Sequence, residues 1–372
     1  MYQAKRRLRF TTLATAVAGV LALGLTLPST ANGQESTEDS TKTSTVEVVY
    51  EGLNAPRKVT WDSRFNGLLV AESGRTSAPC IGDSADGCFS KSGAILAYRP
   101  QEDRGMRVVT GLPALFSSRG MAGISEVNPH GSTEVRAVFG LGGRAATRDA
   151  HGPDAAPLGQ VNRITVTGRV TPVADLTGYE EQHNPDGDIV DSNPFGMISD
   201  SSGSAVVDAA ANDVLHVGRD GSTKLLQVLP TLEYEGKQLA SVPSAIDRGP
   251  DGAYYVGEMG GSPSVGKARV WRLVPGGEPE LVSGGFTNVL DLAFDKQGRP
   301  LVLELAEKGL ASGDQTGRLV RIEADGGHTV LARDELAHPG GVTVAPNGDI
   351  YVTNRITSPD GQGQLLRIRA AG

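Results

Sequence analysis

A short hairpin pattern recurs along the chain and limits the folds open to it. Its clearest copy covers residues 340–354: Val342-Thr343-Val344 runs into Pro346-Asn347-Gly348 and returns as Ile350-Tyr351-Val352. Asn and Gly tolerate the backbone reversal that joins two antiparallel strands. Further copies lie at 244–258 around Pro250-Asp251-Gly252, at 288–304 around Lys296-Gln297-Gly298, at 193–208 around Ser202-Gly203, and at 56–72 around Asn66-Gly67. The turn glycines at 203, 252, 298 and 348 are 49, 46 and 50 residues apart. The gap from Gly67 to Gly203 is 136 residues and has room for one divergent copy, residues 120–140. Six hairpin repeats of this length predict an all-β chain, a six-bladed β-propeller with four-stranded blades.

Each repeat carries a third strand, at 94–99, 160–166, 214–219, 269–274, 318–323 and 364–369. Fourth strands follow at 170–174, 224–228 and 329–332. The opening segment 46–53 resembles the ends of repeats at 107–112 and 280–284, yet it comes first. It is therefore expected to complete the last blade beside 365–369. Such closure removes free sheet edges, which otherwise recruit other chains.

The 49 glycines suit a fold with many turns. A net charge of −8 and no basic stripe argue against nucleic acid as a partner. Length alone would allow two domains, but closed β architectures often exceed the usual size as one.

The N-terminus reads as an export signal. Lys5, Arg6, Arg7 and Arg9 precede an apolar run at 13–27 that is short for a membrane span. Small residues follow, with cleavage after Ala31 or Gly33. The expected organisation is a signal peptide over 1–33, a Ser-, Thr- and acid-rich tether over 34–44, and one propeller over 45–372. The mature protein is expected to be extracellular or periplasmic, monomeric and without a membrane span. Cys80 and Cys88 are the only cysteines and share one loop. No His or Cys lies at metal-ligand spacing, so in an oxidising compartment a disulfide is expected.

The long loops between second and third strands, and the connector at 176–192, should all emerge on one face. Loops on a rigid scaffold are where binding tends to sit. Second strands end in Glu72, Asp208, Glu258, Glu304 and Asn354. Two readings apply. The carboxylates converge at the channel mouth and hold a hard cation such as Ca²⁺, or each caps backbone groups of its own loop. Arg57, Asn193, Asn288 and Asn354 are placed to assist at the same mouth, and His338 precedes the last repeat. In the polar connector, His183 with Glu180 or Asp186 can form an acid–base pair, while Asn184-Pro185-Asp186-Gly187 is also plain turn chemistry. No nucleophile elbow or phosphate loop is present. Trp61 and Trp271 fall inside strands, where packing is their expected role.

Several of these segments together resemble the ScyD/ScyE family of secreted propeller-like proteins. They are Asn54-Ala55-Pro56-Arg57, the Cys80–Cys88 loop, Asn184-Pro185-Asp186-Gly187, Ser192-Asn193-Pro194-Phe195, Val207-Asp208-Ala209, the stretch 249–258 and Gly285-Phe286-Thr287. More distantly the repeats are similar to NHL repeats and to gluconolactonase-like six-bladed enzymes. The resemblance spans nearly the whole mature chain and implies fold and export; it implies no particular reaction. One departure is Lys58-Val59, where the family pattern has Gly-Leu. The leading expectation is a binding or scaffold role, with a small molecule or a protein held on the loop-rich face. The alternative is a Ca²⁺-dependent, lactonase-like hydrolase, and a quinone-dependent sugar oxidoreductase follows from fold analogy alone.

Overall fold

The computed structural model describes residues 44–82, 87–262 and 265–369. The expected signal peptide over 1–33 and the expected tether up to residue 43 lie outside them. After β1 (Thr45–Leu53), strands follow in runs of four that pair antiparallel in chain order. These are β2 (Pro56–Asp62), β3 (Gly67–Glu72), β4 (Cys88–Arg99) and β5 (Arg104–Ser117), then β6 (Gly120–His130), β7 (Glu134–Phe139), β8 (Gln160–Thr165) and β9 (Val170–Asp175). Next come β10 (Pro194–Ser199), β11 (Gly203–Asp208), β12 (Asp213–Gly218) and β13 (Thr223–Val228). A separate hairpin, β14 (Leu232–Tyr234) with β15 (Lys237–Leu239), precedes β16 (Pro243–Arg248), β17 (Tyr254–Glu258), β18 (Ala268–Leu273) and β19 (Glu280–Phe286). The chain continues through β20 (Val289–Phe294), β21 (Pro300–Glu304), β22 (Arg318–Ile322) and β23 (His328–Ala332) to β24 (Gly341–Val344), β25 (Ile350–Asn354) and β26 (Gly363–Arg369).

The last sheet has only three strands of its own, and β1 supplies the fourth. Val46 stands opposite Ile368 and Val48 opposite Leu366, so the N-terminal strand pairs where its sequence places it. The first strands β2, β6, β10, β16, β20 and β24 touch one another in that order, and β24 touches β2. Apolar cores lie between successive sheets. Leu301, Leu303 and Leu319 meet Val342, Val352 and Leu366, while Leu68, Val70 and Leu96 meet Ala345, Tyr351 and Leu365. Second strands are covered on both faces, which is why β3, β11 and β25 are buried throughout. Each such Leu or Val contributes roughly 1.5–3 kcal/mol on leaving water. The turns use the expected chemistry: φ is +52° at Asn66 and +96° at Gly348, in the left-handed region that Asn and Gly tolerate.

Two features were not legible in advance. The hairpin of β4 and β5 is extended, and β5 goes on to pair with β6 through Ala114 opposite Gly123. The first two runs of four therefore share one eight-stranded sheet. The connector at 176–192 also contains a helix, α2 (Leu176–His183), following a short α1 (Ala145–Asp149) in an earlier loop. The Asp175 side chain caps α2 by accepting from Gly178 N. Cys80 and Cys88 form a disulfide across Cα atoms 5.0 Å apart. Among the described residues no helix is long and apolar enough to cross a membrane.

Candidate functional site in the central channel

The second-strand carboxylates are each tied down by donors of their own four-stranded set. Glu72 accepts from Arg107 Nε at 2.7 Å and Nη2 at 2.8 Å, and from Asn54 N at 2.7 Å. Glu258 accepts from Arg269 Nε and from the Trp271 indole, both at 2.7 Å. Glu304 accepts from Arg318 Nε at 2.7 Å and Thr287 N at 2.6 Å. Asp208 has no arginine; it accepts from Ser192 Oγ at 2.6 Å and from the amides of Asn193, Ala210 and Ala211. Asn354 keeps the pattern in neutral form, accepting from Ala337 N and donating to Gln364 Oε1. In four of the five, the bonded amide (Asn54, Asn193, Thr287, Ala337) lies just before the first strand of the same set. The side chain thus anchors that strand's entry. Among the described residues, no three His, Cys, Asp or Glu side chains are grouped to hold a metal ion.

The other candidates lie in β2, in α2 and in the connecting loops. Arg57 Nε donates to Ser73 Oγ and its Nη2 to Met121 O, and burial pulls its guanidinium down to about 10. His183 is exposed, stacks on Tyr179 at 4.2 Å and contacts Tyr179 O. Asn184 is the left-handed C-cap of α2, and Asp186 accepts from Asn212 Nδ2. Asn193 Oδ1 accepts from Leu141 N, Asn288 Nδ2 donates to Met259 O, and His338 Nδ1 meets Thr357 Oγ1. The His183 ring is held by its own helix, through Tyr179, and not by Glu180 or Asp186.

The channel itself contains what the first strands carry inward. Its loop-rich end is filled by Leu290, Leu305 and Ile356 with Phe195 and Met259 packed against them. Lys58 of β2 is 1% exposed and reaches across to β16 and β20. Its ammonium donates to Ser244 O at 3.0 Å, Leu290 O at 2.5 Å and Asp291 Oδ1 at 2.6 Å, and lies 5.5 Å from the Phe195 ring centre. Asp291 Oδ2 accepts from Val342 N of β24 at 2.7 Å. Ser125 Oγ donates to Phe195 O across the β6–β10 seam, and Ser244 Oγ to Val289 O across the β16–β20 seam. Polar side chains thus stitch neighbouring first strands that share no backbone ladder.

A cavity of about 260 Å³ opens in the channel toward the turn ends of the first strands. All six of those strands line it, with Thr60, Glu126, Asn128, Ser199, Asp247, Asp291 and Thr343 among the polar groups. Glu126 Oε2 accepts from Met197 N at 2.7 Å. Burial, opposed by Lys58 and reinforced by Asp291, pushes the Glu126 carboxyl up to about 8. Burial likewise lifts Asp247 to about 7 and raises Asp291 against the pull of Lys58. Asn128 is 6% exposed, and its Oδ1 meets no donor. The cavity therefore presents hydrogen-bond acceptors and protonatable carboxyls, sealed on the loop side by an internal cation. A larger open cleft, about 690 Å³, lies between the first two runs of strands among Leu69, Ile95, Val109 and Ile164. Arg64 and Arg107 at its edge are paired with Asp62 and Glu72.

Sequence reasoning noted Lys58 only as a departure from the family pattern and passed over Glu126, Asp247 and Asp291. The available signal was an ionisable residue inside an otherwise apolar first strand, as in Val289-Leu290-Asp291-Leu292.

No protein-family model matches the chain, and no curated protein sequence matches it. Its fold is shared with solved structures. A gluconolactonase from Xanthomonas campestris is 11% identical, with a TM-score of 0.55 over 88% of this chain and 90% of the other. The calcium-binding protein regucalcin from Agrobacterium tumefaciens is 14% identical, with a TM-score of 0.54 over 88% and 94%. An oxidoreductase described as a glucose dehydrogenase, from a Thermus species, is 19% identical, with a TM-score of 0.51 over 88% and 100%. These likenesses show a β-propeller fold and go no further.

Proposed function

We propose that this is an exported six-bladed propeller of the ScyD/ScyE type. It binds a small donor-bearing molecule, an amine or a polyol, in the turn-side cavity of its channel. The observation that carries this reading is the acceptor-lined cavity beneath Lys58. Asn128 Oδ1 lacks a donor there, and Glu126 and Asp247 face the same space. An unsatisfied buried acceptor is costly until a ligand or water supplies its hydrogen bond. Lys58 already places a cation in the upper channel, which weighs against a divalent metal at that level. Binding therefore moves from the loop-rich face, where the channel end is filled by apolar side chains, to the opposite side.

Hydrolysis of a lactone is the second reading. It is favoured by two carboxyls that titrate near neutral pH, as a general acid and base require. The fold shared with a gluconolactonase is compatible with it. Thermal shift of the mature protein against a panel of polyamines, amino sugars, polyols and lactones separates the readings. Binding predicts a stabilising amine or polyol whose effect is lost in Asp247→Asn, with lactones left intact. Lactone turnover lost in Glu126→Gln favours the hydrolase. Shifts insensitive to both substitutions refute the cavity.

A further inference from the structure

The seam between the second and third runs of strands holds a buried cation with no anion beside it. Arg136 of β7 is 3% exposed. It stands opposite Asn128 of β6 and Arg163 of β8, so the three side chains share one face of the sheet. Like charges placed directly opposite are unfavourable. Across the seam, Arg136 Nη1 donates to Ser204 Oγ of β11 at 3.1 Å, and Ser204 Oγ lies 2.8 Å from Ser199 Oγ. Among the described residues no carboxylate pairs with this guanidinium. Glu134 is taken by Arg163 at 3.6 Å, and Asp200 by Arg248. More positive charge lies close by instead: burial lowers the Arg136 guanidinium, and the charges of Arg219 and Arg163 add to that. Arg219 follows Gly218, which pairs with Gly203 beside Ser204. It is exposed and, among the described residues, meets no carboxylate. His130 lies two residues beyond Asn128, and burial and Arg136 hold its ring below the usual value, so it is neutral at pH 7.5. Buried charges are normally paired, because an unpaired one gives up its hydration without return. The other two fully buried cations among the described residues obey this: Lys58 meets Asp291, and Arg148 meets Asp175.

We propose that Arg136, with Arg163, Arg219 and the Ser204 hydroxyl, binds a small oxyanion at this seam, the phosphate or carboxylate group of a ligand. A guanidinium presents five N–H donors in a planar fork that fits such groups two bonds at a time. Ser204 occupies one of the five in Arg136. The exposed Arg163 and Arg219 raise the local potential and draw an anion in from the surface. Arg136 sits on a second strand, one strand outward from the channel cavity. The site uses neither Glu126 nor Asp247, so it stands or falls apart from binding in that cavity.

The test is calorimetric titration and thermal unfolding of the mature protein at pH 7.5, with sodium phosphate in one arm and sodium succinate in the other. Ionic strength is held constant with NaCl. One of the two anions should bind at or below about 1 mM and raise Tm, and the tighter arm names the group. Arg136→Met should abolish that binding. In buffer without either anion it should unfold no earlier than the wild type, because it removes an unpaired buried charge. Arg219→Gln changes an exposed side chain and should weaken binding at least about threefold. Arg272→Gln, whose guanidinium is held by Asp251 and Glu280, should leave the affinity unchanged. No response to either anion overturns the proposal, as does affinity that survives Arg136→Met or Arg219→Gln. A rise in Tm that NaCl alone reproduces at equal ionic strength overturns it too.

Discussion

Replacing Lys58 by Met keeps most of the buried aliphatic stem and removes the ammonium. The structure predicts a large loss. Asp291 is 6% exposed and would keep only backbone donors, Val342 N on Oδ2 among them, with no cation beside its carboxylate. The carbonyls of Ser244 and Leu290 lose their shared donor as well. Breaking a buried pair by removing one partner costs about 3–5 kcal/mol, because the other charge stays behind unpaired. Adding Asp291→Asn should recover most of that loss. Asn carries no charge, and its Oδ1 can still accept from Val342 N. Urea unfolding of the three variants and the wild type measures both terms, with midpoints compared at unchanged m. The reasoning is refuted if Lys58→Met costs less than about 1 kcal/mol, or if the double variant is no more stable than the single.

Other outcomes follow from the same contacts. Glu126 has a folded value of about 8 against 4.5 for the free side chain, so the folded protein holds a proton that the unfolded chain has released. Stability should therefore decline as pH rises from about 4.5 toward 8; Glu126→Gln should flatten that slope, and an unchanged slope contradicts the assignment. Removing residues through Leu53 strips β1 from β26 and should yield aggregation-prone material in light scattering, whereas a stable monomer would show that closure is dispensable. Denatured, unreduced protein from outside the cell should show no reactive thiols. Replacing both cysteines by Ser should lower stability by up to about 2.5 kcal/mol in the loop-entropy model.

Most of the strand order was legible because hairpin turns and period-two alternation are local signals. The third strands and the closing role of the N-terminal strand appear nearly where the residues place them. Helix α2 was hidden because only Leu176, Thr177 and Glu180 face inward, which leaves almost no apolar stripe to read. The second-strand carboxylates were found, but their meaning depended on partners across the ladder. Arg318 stands opposite Glu304, and that register becomes visible only once the strands are paired. The channel was hardest. Lys58 and Asp291 are 233 residues apart, and only the closed order of first strands brings them to 2.6 Å.

The central claim is that the channel opens on the turn side onto protonated carboxyls, while the loop-side carboxylates are sealed by their own loops. Carbodiimide coupling of methylamine at pH 7, mapped by peptide mass spectrometry, tests it in one measurement. Modification is predicted at Glu126 and Asp247, with Glu72, Glu258 and Glu304 protected by Arg107, Arg269 and Arg318. Modification of those three, with Glu126 and Asp247 untouched, would contradict it.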